Sequence, residues 1–262
     1  MALTLDIGAT GMLAQQLNVD VISNNIANMT TTGYKRQRAE FQDLLYQTKL
    51  RPGSASSDAG NTIPAGIQQG LGVKAGSVYR INEQGALTIT SNAFDLAAVG
   101  EGYFQITLPD GETAYTRDGS FQLNQDGELV TSEGYTVQPG ITIPEDAVDV
   151  TINNVGEVLL KLDGQVDLTN AGQIQLAIFA NPAGLDAIGD NLFLETTASG
   201  TATIGNPGDD GYGVLEQGAL ENSNVDVVAE ITNLITAQRA YEMNSKVIQT
   251  GDEMMGTLTQ LR

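Results

Sequence analysis

The sequence predicts an α+β protein: long N- and C-terminal helices paired in a coiled-coil-like manner, with an antiparallel β-rich domain inserted between them. Three observations predict it. Apolar residues recur every seven positions at both ends of the 262-residue chain. The centre is cut by Asp-Gly pairs into short alternating runs, the pattern of hairpins. The net charge of −20 is unevenly spread: residues 1–34 carry −2, 35–51 carry +3, 222–262 carry −2 and the middle carries −19.

The first element is expected over residues 1–34. Leu5, Met12, Val19 and Ile26 fall seven apart, with Ile22 and Met29 beside them. Thr4 and Asp6 suit a first helical turn, and the run Thr30–Thr32 followed by Gly33 suits a stop. Asn24 and Asn28 lie roughly opposite Ile22, Ile26 and Met29. Asparagine is a poor helix former, because its amide competes for backbone hydrogen bonds. Amides there suit a polar contact with a neighbour of the same sequence, or a polar helix end easing into a turn. The basic group Lys35, Arg36 and Arg38 follows, placed to offset the acidic middle.

Residues 35–76 read as an extended connector. Its part from Arg51 to Gly76 is rich in Gly, Ser and Pro, which composition alone leaves open between a linker and an ordered loop. Residues 77–221 read as β structure. Asp-Gly pairs at 110, 118 and 126, then Gly134, mark a meander, and a second set of runs is broken by Asp163-Gly164 and Asn181-Pro182. A sandwich or open barrel is the expected outcome. Residues 222–262 read as the second helix, with Val227, Leu234, Tyr241, Ile248 and Met255 seven apart. Ala240, Val247, Met254 and Leu261 widen that stripe, Ser223 and Asp226 have capping-box spacing, and Asp226 with Glu230 places acid at the positive helix end.

Composition also excludes chemistry. The chain has no His and no Cys, which removes most transition-metal sites and the usual catalytic triads. A charge of −20 opposes unassisted nucleic-acid binding. No run approaches the ~20 apolar residues of a membrane span, so the chain is not expected to insert in a membrane. The start lacks a basic n-region, so a cleaved signal peptide is not expected. The glycines at 100 and 102 lack a phosphate-binding context, Asn124–Leu129 holds only part of a calcium loop, and residues 207–213 read as a solvated acidic loop. The expectation is a protein that is not an enzyme, with no catalytic residues, cofactor or metal.

Two motifs carry a resemblance. "NNIANMTTTGYKR" at 24–36 resembles the N-terminal signature of the bacterial flagellar rod and hook protein family, and "LENSNVDVVAEITNLITAQRAYEMNSKVIQTGDEMM" at 220–255 resembles its C-terminal signature. The centre, from Phe94 to Pro144, resembles the domain that follows the rod motif in that family, and segment 46–76 resembles that of its distal-rod members. Within the motifs Tyr103 stands where the family often has Phe, a mild change. The resemblance implies a structural subunit of the distal rod, in the basal body, assembling with copies of itself into a rigid helical tube. Paired terminal helices would line the tube, β domains would face outward, export substrates would pass through it, and motor torque would reach the hook. The implied partners are proximal rod proteins, the hook protein, the surrounding periplasmic and outer-membrane ring proteins, and the flagellar export apparatus. Carried over by position, Asn24, Asn25, Asn28, Gly33, Tyr34, Lys35 and Arg36 form the first signature. Asn224, Asp226, Gln238, Arg239, Tyr241, Glu242 and Lys246 belong to the second. Arg239 is expected to pair with a carboxylate or a helix carbonyl at a helix–helix contact. The rival readings are a proximal rod or hook subunit, discriminated by segment 46–76, and a secreted β-rich binding protein with helical oligomerising ends.

Overall fold

A computed structural model describes residues 2–52, 65–164 and 167–260. The chain divides into two compact units. One holds residues 1–26, 37–79 and 226–262; the other holds 27–36 and 80–225.

The first unit is built on two helices, α1 (Ala2–Ala27) and α2 (Val227–Gln260). The helices pack together through glycines. A β-carbon built on Gly8 would lie 2.8 Å from Ile248 Cγ1, one on Gly11 2.8 Å from Asn244 Nδ2, and one on Gly251 3.1 Å from Leu5 Cδ2. Ascending numbers on α1 meet descending numbers on α2, so the pair is antiparallel. Missing side chains at these positions let the backbones approach.

Leu5, Met12, Val19 and Ile26 are half-buried on α1, with Ala14, Val21 and Ile22 buried beside them and Met29 exposed. On α2, Leu234 and Ile248 are half-buried, while Tyr241 and Met255 are exposed. The stripe does not widen through Val247 and Met254, which are exposed. The second inward row is Glu230, Ala237, Asn244 and Gly251, again seven apart. This row was chosen for size and polarity, and an apolar count does not register it. The cap also differs from the expected spacing: Asp226 itself caps α2, its Oδ1 accepting from the N–H of Val228 (2.9 Å) and Ala229 (3.2 Å). Leu261 lies outside the described residues.

Residues 53–64 of the expected connector also lie outside the described residues, but most of the rest of it is strand. Tyr46–Leu50 pairs antiparallel with Ile67–Gly70, and Gln37–Asp43 pairs with Val73–Arg80. Gly72, at φ +121°, brings its backbone against Thr10 on α1, and Thr10 Oγ1 accepts from the N–H of Val73 at 3.4 Å.

The second unit is β-rich. Its largest sheet has nine strands, with Tyr103–Thr107 bonded to Thr113–Thr116, Thr136–Val137 and Leu176–Ile178, all antiparallel. A three-stranded sheet, Ala147–Ile152, Glu157–Leu162 and Thr169–Gln173, shares its core: Phe104, Ile106, Phe121, Val158, Leu160 and Leu176 are all buried in one cluster. Gly111, Gly127, Gly134 and Gly164 sit at positive φ in turns, as the Asp-Gly and Gly134 signals predicted. Asp118-Gly119 is the exception. Gly119 is small because the Leu96 carbonyl packs on its backbone, where the two residues exchange a 3.0 Å hydrogen bond from Leu96 N–H to Gly119 O.

Candidate functional site

The strand Ala219–Glu221 pairs antiparallel with Leu87–Ile89, which delivers Glu221 to the interior at the end of the β-rich unit. Its side chain is 1% exposed. Glu221 Oε1 accepts from Lys35 Nζ at 2.6 Å and from Gly85 N–H at 2.8 Å, and Oε2 accepts from Arg117 Nε at 2.7 Å. Lys35, 4% exposed, also donates to Glu83 O at 2.9 Å. Arg117 donates to Ala98 O at 2.9 Å and to the carbonyls of Gly100 and Gly102. Two buried cations therefore share one buried carboxylate.

Burial opposes ionisation of Glu221, but the Arg117 guanidinium and the Lys35 ammonium outweigh it and hold the carboxyl below the ordinary carboxylate range. Burial pushes Lys35 below the ordinary lysine value; the Glu221 hydrogen bond and charge oppose this, and Arg117 adds to the lowering. The two directions agree physically. Glu221 has two counterions, while Lys35 shares one carboxylate with Arg117.

The two signature segments meet beside this cluster. Gly33, at φ +68°, donates its N–H to Glu221 O at 2.8 Å, and a β-carbon there would fall 2.8 Å from Arg117 C. Asn224 Oδ1 accepts from Arg36 N–H at 2.7 Å, and its Nδ2 donates to Ile81 O at 2.9 Å and Glu83 O at 3.0 Å. Asn224 N–H reaches Tyr34 O at 3.4 Å. The segment after α1 and the segment before α2 are thus bonded to each other through Tyr34, Lys35, Arg36, Glu221 and Asn224. In the first unit, buried Asn25 donates to Gln37 O and accepts from Gln37 N–H, both at 2.8 Å, as a strand neighbour would.

The remaining predicted positions are elsewhere. Asn28 Oδ1 accepts from Thr31 Oγ1 at 3.2 Å in the turn after α1, and Asn24 is exposed. Asp226 is exposed at the cap of α2, and Gln238, Arg239, Tyr241, Glu242 and Lys246 are exposed on α2. Among the described residues, Arg239 has no ion pair within the chain.

Sequence reasoning missed Arg117, Glu221 and their carbonyl partners. One signal was available: Arg117 is the only Lys or Arg between Arg80 and Lys161, in a strand-like run. The expected turns are turns. Asn124 Oδ1 accepts from the N–H of Asp126 and Glu128, both at 2.9 Å, and Asn124 Nδ2 donates to Glu128 Oε2 at 3.1 Å, so these oxygens close a hairpin. Asn153 and Glu157 repeat this turn, with Asn153 Oδ1 accepting from Val155 and Glu157 N–H at 3.2 and 2.9 Å. No helix among the described residues is long and apolar enough to cross a membrane.

The cavity beside Lys35 and Arg117 has a volume of about 50 Å³, room for water and far below the several hundred Å³ of a substrate pocket. The cluster's charges are met by one another and by backbone groups, and it ties the segment that follows α1 to the segment that precedes α2. Three families match in the corresponding places: "Flagella basal body rod protein" over residues 5–35, "Flagellar hook protein FlgE/F/G D1 domain" over 97–160, and "Flagellar basal body rod FlgEFG protein C-terminal" over 216–261. The chain is 65% identical over 254 residues to the flagellar basal-body rod protein FlgG of Caulobacter vibrioides, covering 97% of each. It is 53% identical to that of Agrobacterium fabrum, covering 98% of each, and 43% identical to that of Bacillus subtilis, covering 97% of each. The chain belongs to the FlgG family of flagellar basal-body rod proteins, structural subunits of the distal rod.

Proposed function

We propose that the protein assembles with copies of itself into the straight, rigid tube of the distal rod, through which export substrates pass and along which motor torque reaches the hook. The observation that carries this reading is the apolar surface left on α2. Val228 is 76% exposed and Met243 62%, with Ile231 and Ile235 also exposed. A helix gains most of its stability from packing its apolar residues, so a face of this kind calls for a neighbour. In this reading the α1–α2 seam is coiled-coil-like, Leu5, Met12, Val19, Ile22, Ile26, Leu234, Ile248 and Met255 serve helix contacts, and the signature residues set the joint.

The partners of the tube's ends and sides are proximal rod proteins, the hook protein and the enclosing ring proteins, with the export apparatus delivering the chain. The strands in 37–50 and 67–80 support a distal-rod over a hook reading, because an ordered segment there adds stiffness that a bending filament lacks. Electron microscopy of polymers grown from the purified protein tests this. Straight tubes are expected; curved filaments would favour a hook subunit, and a protein that stays monomeric at all concentrations would refute self-assembly.

A further inference from the structure

The charge cluster of the β-rich unit borders the cavity of about 50 Å³, whose lining includes Lys35, Asn82, Glu101, Tyr103 and Arg117. The carbonyls around the cluster take up donors but carry no net charge. Two buried cations, Lys35 and Arg117, against one buried carboxylate, Glu221, therefore leave one positive charge over. Donors are left over as well. An ammonium has three N–H groups, and Lys35 Nζ uses two, on Glu221 Oε1 and Glu83 O. A guanidinium has five, and Arg117 uses four, on Glu221, Gly102, Ala98 and Gly100. Tyr103 is 7% exposed, and its hydroxyl has no hydrogen-bond partner among the described residues. Burial raises that hydroxyl above the ordinary phenol value, against the pull of Arg117 and Arg80, which keeps it an O–H donor.

We infer that this cavity is a binding site for one small monovalent anion, chloride, held by the spare N–H groups of Lys35 and Arg117 and by the Tyr103 hydroxyl. A single negative charge cancels the buried excess, and hydrogen bonds from charged donors to an anion are the strong kind. Size agrees with charge. A chloride is little larger than a water, and the cavity is several times the about 10–15 Å³ that one water needs. The other carboxylates in reach, Glu101 at the cavity and Asp186 near Arg80, are exposed and screened by solvent. A chain of net charge −20 repels anions in general, so uptake at this point reflects the site and not the bulk charge.

The test is chloride binding by the full chain. It is read from the quadrupolar broadening of the chloride NMR line, and from the melting midpoint at fixed ionic strength in sodium chloride against sodium gluconate, whose anion is too large for the cavity. Broadening that bromide competes away and a higher midpoint in chloride are expected. Tyr103→Phe keeps the ring and removes the hydroxyl, and is expected to weaken chloride binding roughly tenfold. Glu101→Gln removes the acid at the cavity and is expected to tighten binding at least about twofold. A cooperative melt of each variant in gluconate shows that it folds. A chloride line that the wild-type chain leaves sharp, or equal midpoints in the two salts, would overturn the site. Broadening that survives intact in Tyr103→Phe would put the anion elsewhere and overturn it too.

Discussion

Replacing Glu221 by glutamine keeps the shape of the side chain and removes its charge, while putting an NH2 group among donors. Lys35 and Arg117 then remain buried without a carboxylate, and Gly85 N–H competes for the one remaining oxygen. Breaking a buried ion pair by removing one partner costs about 3–5 kcal/mol. For a unit of this size each kcal/mol moves the melting midpoint by about 2–4 °C, so a fall of about 10 °C is expected. The assay is a melt followed by near-UV dichroism of the tyrosines and phenylalanines, repeated from pH 7 down to pH 3. Because the folded carboxyl titrates below its ordinary value, its stabilising contribution is complete above about pH 4.3 and is lost as the pH falls through the depressed value. The gap between wild type and Glu221→Gln is therefore expected to be widest at neutral pH and to shrink in acid. A midpoint lowered by less than about 2 °C at pH 7, or a gap that widens in acid, would refute the reasoning.

Lys35→Met is expected to cost less than half as much in the same melt, because Arg117 still pairs with Glu221 and Asn224 still bonds Glu83 O. Since burial lowers Lys35, wild-type stability should rise as the pH climbs through its folded value toward 10.5, and Lys35→Met should flatten that rise. Gly33→Ala combines a positive φ with a clash against Arg117 and Asp118, and is expected to cost roughly 2 kcal/mol or more in urea unfolding; an unchanged midpoint would refute the role given to Gly33. Gly8→Leu drives a side chain into Ile248 and is expected to prevent rod assembly while the β-rich unit melts as before, a result checked by microscopy and dichroism on the same sample.

The helices were legible because a seven-residue repeat of apolar residues is a local property of sequence. Their seam was only half legible. Ala237 is small and Glu230, Asn244 and Gly251 are not apolar, and the last two make sense only once Gly11 and Leu5 stand opposite them. Hairpin turns at Gly111, Gly127 and Gly164 announced themselves through a backbone angle few other residues adopt, whereas Gly119 answers to the distant Leu96 carbonyl. Composition left the connector open between a linker and an ordered loop: strands there pair across a long gap, as in Tyr46 with Gly70, and pattern alone does not carry that information. The charge cluster was hidden for the same reason. Lys35 and Glu221 lie 186 residues apart, and one glutamate in a strongly acidic chain looks solvated.

The order in which the cluster's members matter follows from the backbone. Gly100 and Gly102 take positive φ, and the carbonyls of Ala98, Gly100 and Gly102 converge on Arg117. Buried carbonyls need donors, and a guanidinium supplies a fork of them that no neutral side chain matches. Arg117 then needs a counterion, which Glu221 provides; Glu221 in turn has oxygen capacity to spare, which Gly85 and Lys35 fill. Necessity thus runs from the glycine loop to Arg117, to Glu221 and last to Lys35. If so, Arg117 is the costliest position, and Arg117→Lys should rescue little, because a single ammonium keeps the charge but not the fork. The expected ranking of lost stability is Arg117→Lys at or above Glu221→Gln, with Lys35→Met well below both. An Arg117→Lys variant that melts within about 2 °C of wild type would mean that charge alone, and not the directed bonds to the three carbonyls, holds the joint together.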